Sequence, residues 1–133
     1  MADCRSPEDS GPAGLHSRSG EVPSYPTLDG SLIEELMHPD HHGVRHQSLA
    51  RATVPAGRST RLHRHHRAEE VYHILSGRGR MWLGETVFAI GPGDSVCIPP
   101  GTPHRLAADE DGELVLLCAC TPAYAHEDTE LLD

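Results

Sequence analysis

Short segments separated by frequent turn signals are the feature that most limits how this chain can fold. Between residues 44 and 121, glycine, proline or acidic turn residues recur roughly every 6 to 12 residues. The alternating or apolar segments between these turns are 44–54, 60–65, 69–75, 79–83, 86–90, 95–98, 104–107 and 113–119. No segment with helical periodicity is long enough to cover a parallel sheet. The pattern therefore predicts an all-β sandwich or barrel of antiparallel strands.

The N-terminal segment differs from the rest of the chain in composition. Residues 1–28 are rich in glycine, proline, serine and charged residues and contain few apolar ones. Such a segment buries too little apolar surface to offset the entropy that ordering costs. We predict a flexible N-terminal arm over residues 1–28 and one barrel domain over residues 29–133. Within that domain, segment 31–37 fits either a helical turn or a first strand.

Charge and hydropathy limit the classes of partner. The formal net charge is −9, so the chain should repel nucleic acid and anionic lipid, and we expect neither as a partner. The N-terminus lacks the apolar stretch of a signal peptide, and the longest apolar run, 114–120, is too short to span a bilayer. These features predict a cytoplasmic protein with reduced thiols.

The cysteines have two interpretations. A free cysteine packs as a small hydrophobe, so we predict core positions for Cys97, Cys118 and Cys120. Cys118 and Cys120 are two residues apart and share one face of a strand. Metal ligation by this pair is the alternative.

The strongest chemical signal lies between residues 57 and 77. His63 and His65 are two residues apart on a strand, so their side chains point the same way and can share one metal ion. Glu70 opens the next strand, and an antiparallel partner would bring it back beside the histidines. Glu69 competes for this role, but alternation with Tyr72 favours Glu70. His66 should point outward.

A second signal lies between residues 93 and 104. Glycines and prolines predict two sharp turns, at 91–93 and 99–101, and His104 follows directly after the second turn. One histidine here would complete a four-ligand site with His63, His65 and Glu70. The chain contains 11 histidines, and most of the others are expected to lie on the surface.

These two stretches resemble the paired signatures of the cupin superfamily. Residues 57–77 match the pattern G-x5-H-x-H-x4-E-x6-G, and residues 93–104 match G-x5-P-x-G-x2-H. Ala108 stands where the second signature usually has asparagine. The resemblance covers about residues 44–120. It implies a jelly-roll β-barrel in which His63, His65, Glu70 and His104 bind one divalent transition metal ion.

Three imidazoles and one carboxylate favour Fe, Mn, Ni, Co or Zn over Cu(I) or an iron–sulfur cluster, which require sulfur ligands. Four protein ligands leave two positions of an octahedral ion for a chelating substrate, or for substrate and O2. We therefore expect a metal-dependent enzyme for a small organic molecule, of the mononuclear non-haem oxygenase type. The alternatives are a non-redox Lewis-acid isomerase, cyclase or lyase that uses Zn or Ni, and a non-catalytic metal- and ligand-binding barrel.

Tyr72 is the candidate catalytic residue beyond the ligands. It lies two residues after Glu70 and should face the cavity, where a phenol could transfer a proton; packing is the alternative role. Certain cupin lyases are similar in having a tyrosine at this position. His46 is either a cavity residue or exposed, and Arg78 and Arg80 should lie on the outer surface. Because cupins commonly pair their barrel edges, we also expect a homodimer.

Overall fold

The computed structural model describes residues 10–133, so the first nine residues of the predicted arm lie outside the described part. Eleven β-strands account for the regular structure of the described residues, together with a short 3-10 helix, His126–Asp128. The strands are β1 Ser24–Pro26, β2 Leu32–Met37, β3 Ser48–Val54, β4 His63–His65, β5 Glu69–Ser76, β6 Gly79–Leu83, β7 Thr86–Ile90, β8 Ser95–Ile98, β9 His104–Ala108, β10 Leu114–Thr121 and β11 Thr129–Leu131. The prediction of an all-β fold is confirmed.

The strands form two antiparallel sheets. One sheet has six strands in the order β1-β2-β3-β10-β5-β8, and the other has five in the order β11-β4-β9-β6-β7. Strand β10 lies at the centre of the six-stranded sheet, between β3 and β5, although it follows them late in the sequence. This crossover brings the two halves of the chain together.

The core lies between the sheets because both contribute their inward side chains to it. Ile74 and Leu116 from the six-stranded sheet join Met81 and Leu106 from the five-stranded sheet in one buried cluster. In β3 and β5, buried and exposed positions alternate, as strand geometry requires. Burial of each large aliphatic side chain contributes about 1.5–3 kcal/mol.

The backbone conformation at Gly77, the last glycine of the first signature, requires a residue without a side chain. Its φ angle of +84° is one that side chains rarely tolerate. A Cβ atom here would lie 2.1 Å from the carbonyl oxygen of Glu113. Gly77 thereby lets the chain before β10 approach the end of β5 closely.

Three details differ from the sequence-based expectations or decide between them. The sheet begins at β1, inside the segment predicted as an arm, because Tyr25 pairs with Ile33 of β2. The division of the chain at residue 29 stays a prediction. Segment 31–37 contains a strand, β2, rather than a helical turn. The core assignment of Cys97 is wrong: Cys97 is exposed, since Val96 and Ile98 occupy the inward positions of β8.

No helix in the described part of the chain has the length and apolar character that a membrane crossing requires. Homodimer formation stays a prediction.

Candidate metal centre

The four predicted ligands come from three neighbouring segments of the barrel. His63 and His65 occupy the two inward positions of β4, and His104 at the start of β9 is directly opposite His63. Glu70 is at the start of β5, in the other sheet. All four side chains are buried, with exposed fractions between 0% and 5%. The structure therefore brings together every ligand predicted from the two signatures.

The reactive atoms of these residues converge. One ring nitrogen from each of His63, His65 and His104 lies within 4.8 Å of those of the other two. Glu70 Oε1 lies 3.2 Å from His65 Nε2 and 3.6 Å from His104 Nε2. Glu70 Oε1 and His104 Nε2 are nevertheless buried without a hydrogen-bond partner.

The hydrogen bonds on the far side of each imidazole orient the rings for metal binding. His63 Nδ1 donates to the carbonyl of Arg61 over 2.7 Å, and His104 Nδ1 donates to the carbonyl of Thr102 over 3.0 Å. His65 Nδ1 lies 3.0 Å from Thr129 Oγ1, whose own proton goes to the Ala125 carbonyl. Thr129 must therefore accept from His65.

With each Nδ1 protonated, the Nε2 lone pairs of all three imidazoles are free to bind a cation. A buried polar atom without a partner costs about 1–3 kcal/mol, and the centre contains two. A divalent cation would satisfy both. The residues present thus fit one metal ion held by three imidazoles and a carboxylate, a donor set suited to several first-row transition metals.

Electrostatics favour an ionised carboxylate at the centre. Burial alone would raise the pKa of Glu70, but His104 and His65 outweigh it and hold that pKa well below its usual range. Burial lowers the pKa of His63, and His104 lowers it further. Burial also lowers the pKa of His65, but the hydrogen bond and the charge of Glu70 raise it, so its pKa lies above the usual value. Glu70 is therefore the negative charge that a bound cation would neutralise.

The exposure of the remaining candidate residues shows whether each faces the cavity or the solvent. Glu69 and His66 are exposed, as the strand alternation predicts, and His66 lies 3.2 Å from Glu130. His46 is exposed, so it is not a cavity residue. Arg78 and Arg80 are exposed too, which agrees with the outer-surface interpretation.

The inward cysteines, Cys118 and Cys120, lie beside the candidate ligands. Cys120 is buried and its Sγ donates a hydrogen bond to Glu70 Oε2 over 3.2 Å. Burial raises the pKa values of both Cys118 and Cys120, and the nearby Glu70 raises them further, so both remain thiols. Both side chains line the barrel cavity. Among the described residues, the group whose ligand atoms converge closely enough for one metal ion is the histidine cluster rather than this pair.

Tyr72 faces the cavity, as predicted. It is buried, and its ring centroid lies 6.0 Å from that of His104. Burial, and then the charge of Glu70, raise the pKa of Tyr72 well above its usual value, so the phenol keeps its proton. The structure thus places a neutral hydroxyl-bearing ring next to the centre.

Two further residues at the centre were missed by sequence reasoning. Asp29 Oδ2 lies 3.5 Å from His63 Nε2, while Oδ1 accepts hydrogen bonds from Thr27 and Ser31. The ring of Tyr124 lies 5.9 Å from that of His65. A turn signal at Asp29-Gly30 marks the loop, but nothing in the sequence connects it to a strand that begins 34 residues later.

Comparison with known proteins supplies the family. The family model described as a cupin domain matches residues 50–120, more than half of the chain. The chain belongs to the cupin family. The prediction made from the two signatures is confirmed, and the two antiparallel sheets are the jelly-roll barrel of this family.

Two curated relatives support this assignment. An uncharacterized protein of Methanocaldococcus jannaschii is 47% identical over 114 residues, which cover 85% of this cupin and 90% of the relative. The 1-methylthio-D-xylulose 5-phosphate methylsulfurylase of Rhodospirillum rubrum is 44% identical over 64 residues. Those residues cover 48% of this cupin and 40% of the methylsulfurylase, so the second match concerns less than half of that enzyme.

Solved structures share the fold. A proposed sugar phosphate isomerase from Acidithiobacillus ferrooxidans superposes with a TM-score of 0.65 at 25% identity, covering 77% of this cupin and 69% of that chain. The Streptomyces nucleoside dehydratase Pac13 superposes with a TM-score of 0.68 at 18% identity, covering 84% and 85% of the two chains. At 18% identity, the likeness to Pac13 shows the fold alone.

Proposed function

We propose that this cupin is a metal-dependent enzyme that converts a small hydroxylated, carbohydrate-like molecule by non-redox chemistry, such as isomerisation or elimination. The observation that carries the proposal is a cluster of three imidazoles whose ring nitrogens lie within 4.8 Å of one another. Glu70 Oε1 lies beside two of these imidazoles, and two buried polar atoms of the cluster have no partner. His63, His65, His104 and Glu70 would hold the ion. A bound divalent ion would supply Lewis acidity, which polarises a carbonyl or hydroxyl oxygen.

The protein's own groups around the centre suit proton transfer. Tyr72 lines the cavity with its ring centroid 6.0 Å from that of His104, and burial keeps its phenol protonated, so it suits donation of a hydrogen bond or a proton to a substrate oxygen. The Asp29 carboxylate lies on the His63 side and can accept one. A proton donor and a proton acceptor beside one site suit an isomerisation or an elimination. This arrangement favours the non-redox class over the oxygenase type that the ligand set alone had led us to expect.

The substrate class is supported by the cavity and by the relatives. Hydroxyl and carboxylate side chains lie among the aliphatic ones that line the cavity, and they can hydrogen-bond to hydroxyl groups of a ligand. The methylsulfurylase and the proposed sugar phosphate isomerase are both named for sugar phosphate derivatives. A hydroxylated sugar or sugar derivative is therefore the first substrate to test.

The test begins with metal binding. The full chain is purified without chelator and its metal content is measured, with His104→Ala as the test variant and His66→Ala as the matched control. We expect one divalent ion per chain in the wild type and in His66→Ala, and its loss in His104→Ala. A wild-type protein that contains no metal and takes none up on titration would overturn the proposal.

The second stage measures turnover under argon with D-xylulose, D-xylulose 5-phosphate and uridine, followed by proton NMR. Conversion without O2, reduced in Tyr72→Phe, is the expected result. Conversion that consumes O2 would instead support the oxygenase class. Binding of an intact compound with no product from any of them would support the non-catalytic barrel.

A further inference from the structure

A third buried polar atom without a partner belongs to a residue outside the four candidate ligands. Among the described residues, the unpartnered buried side-chain atoms are Glu70 Oε1, His104 Nε2 and Glu35 Oε2. The first two belong to the centre. Glu35, on β2, is only 1% exposed and lines the same cavity. A buried carboxylate oxygen without a partner is costly, so it calls for a ligand.

The other half of the Glu35 carboxylate is already engaged. The hydroxyl of Tyr25, on β1, donates a hydrogen bond to Glu35 Oε1. The backbone N–H of Glu35 donates to the carbonyl of Pro23 over 2.9 Å. The side chain is therefore held in place from the β1 side, while Oε2 has no partner.

Strand pairing places Glu35 and Tyr72 on one wall of the cavity. Glu35 is opposite Ala50, Ala50 is opposite Cys118, and Cys118 is opposite Tyr72, so these four residues form one row across β2, β3, β10 and β5. Glu35 and Tyr72 occupy the ends of this row, three strand spacings or roughly 14 Å apart along the sheet. Only the small side chains of Ala50 and Cys118 lie between them. All four residues line the cavity, so the row is one of its walls.

We propose that Glu35 is a second anchoring point of the substrate cavity, at which Oε2 accepts a hydrogen bond from a hydroxyl or amine group at the substrate end farthest from the metal centre. This inference rests on the proposed function and adds the chemistry of the distal end. None of the described residues that line the cavity is an arginine, and the chain has no lysine. A carboxylate without a nearby cationic side chain repels phosphate, so the group that enters here is neutral or cationic.

Three ligands that share one end and differ at the other test the proposal. D-xylulose, 5-deoxy-D-xylulose and D-xylulose 5-phosphate have the same hydroxyketone at C1 and C2 but a hydroxyl, a methyl group or a phosphate at C5. Their dissociation constants are measured by calorimetry on the metal-loaded full chain. We expect D-xylulose to bind about tenfold more tightly than either of the others, because only its C5 group can donate to Glu35.

The variant Glu35→Gln removes the charge and nearly keeps the volume. We expect it to lower the D-xylulose to D-xylulose 5-phosphate affinity ratio by about tenfold and to leave metal affinity unchanged. Glu34→Gln is the matched control, since Glu34 is the neighbouring residue on β2, is half-buried and pairs with Arg51. The control should retain the wild-type ratio. If Glu35→Gln does not fold, two other measurements test the same inference. One is the order of the three affinities in the wild type. The other is Ala50→Val, which narrows the row of residues and should weaken the binding of all three ligands.

Two results would overturn the inference: a wild-type protein that binds the phosphate as well as or better than D-xylulose, and an affinity ratio that is the same in Glu35→Gln and the wild type. A wild type that binds none of the three ligands would overturn it as well. Because these measurements record binding, they are independent of turnover. Tight, Glu35-dependent binding of D-xylulose without conversion would retain the inference and contradict only the proposed activity.

Discussion

Glu70 and Cys120 lie opposite each other on β5 and β10, and the thiol of Cys120 donates a hydrogen bond to Glu70 Oε2 over 3.2 Å. The other carboxylate oxygen, Oε1, points to the histidines. The thiol therefore orients the carboxylate for metal binding from the side away from the imidazoles. Groups that hydrogen-bond to metal ligands in this way usually affect metal affinity.

Substitution of Cys120 by alanine should weaken metal binding. The variant loses the donor that orients Glu70, so we expect the affinity for a divalent ion to fall by about 10- to 100-fold. A chelator competition titration gives this value. Cys118→Ala is the control, because Cys118 also lines the cavity from β10 but has Tyr72 rather than Glu70 opposite it. Equal affinities in the two variants would contradict the role assigned to Cys120.

Thr129 is expected to matter for a similar reason. Its hydroxyl accepts from His65 Nδ1 and donates to the Ala125 carbonyl, and this pair of bonds selects the tautomer that leaves His65 Nε2 free. Thr129→Val keeps the shape and removes the hydroxyl, so metal affinity should fall by about 10- to 100-fold. Thr86→Val, at an exposed position of β7, is the control and should bind as the wild type does. Wild-type affinity in Thr129→Val would show that the hydroxyl does not orient the ring.

The tyrosines predict how stability changes at alkaline pH. The chain has three tyrosines, Tyr25, Tyr72 and Tyr124, and burial is the largest cause that raises the pKa of each. The hydrogen bond to Glu35 raises the pKa of Tyr25 further, and the charge of Glu70 raises that of Tyr72 further. In the unfolded chain they titrate near pH 10. Above about pH 10 the folded state therefore holds more protons than the unfolded state, so the free energy of unfolding falls as pH rises, while below that pH these groups leave it unchanged.

Two measurements check this prediction. Urea unfolding at a series of pH values should give a lower midpoint above about pH 10 than below it. Phenolate absorbance should increase only with unfolding, whereas the urea-unfolded protein should titrate near pH 10. A tyrosine that ionises near pH 10 in the folded protein would contradict the burial described for that residue.

The adjacent residues Ile74 and Leu75 on β5 test the orientation of the strand. Ile74 is 1% exposed and lies in the core, whereas Leu75 is 41% exposed. Ile74→Ala should lower the free energy of unfolding by about 2–5 kcal/mol, because it leaves a cavity among packed side chains. Leu75→Ala should change it by no more than about 0.5 kcal/mol. Urea unfolding measures both values, and similar losses in the two variants would mean that β5 presents the wrong face to the core.

The sequence by itself predicted the fold class and the four candidate ligands that the structure brings together. Alternation along a strand is a local property of the extended backbone, so it places His63 and His65 on one face and selects Glu70 over Glu69. The same alternation turns Cys97 outward between Val96 and Ile98, and it outweighs the general preference of free cysteine for the core. The glycines and prolines of the two cupin signatures also specify where the turns lie, and this too depends on neighbouring residues in the sequence.

Only the tertiary structure decided which residues surround those ligands. Cys120 reaches Glu70 because β10 inserts between β3 and β5, and the two residues are 50 positions apart in the chain. Asp29 lies beside His63, and Thr129 beside His65, through contacts equally remote in sequence. Glu35 and Tyr72 share a row only because four strands align in register. Strand pairing of this kind depends on the packing of the whole barrel, which no short stretch of sequence encodes.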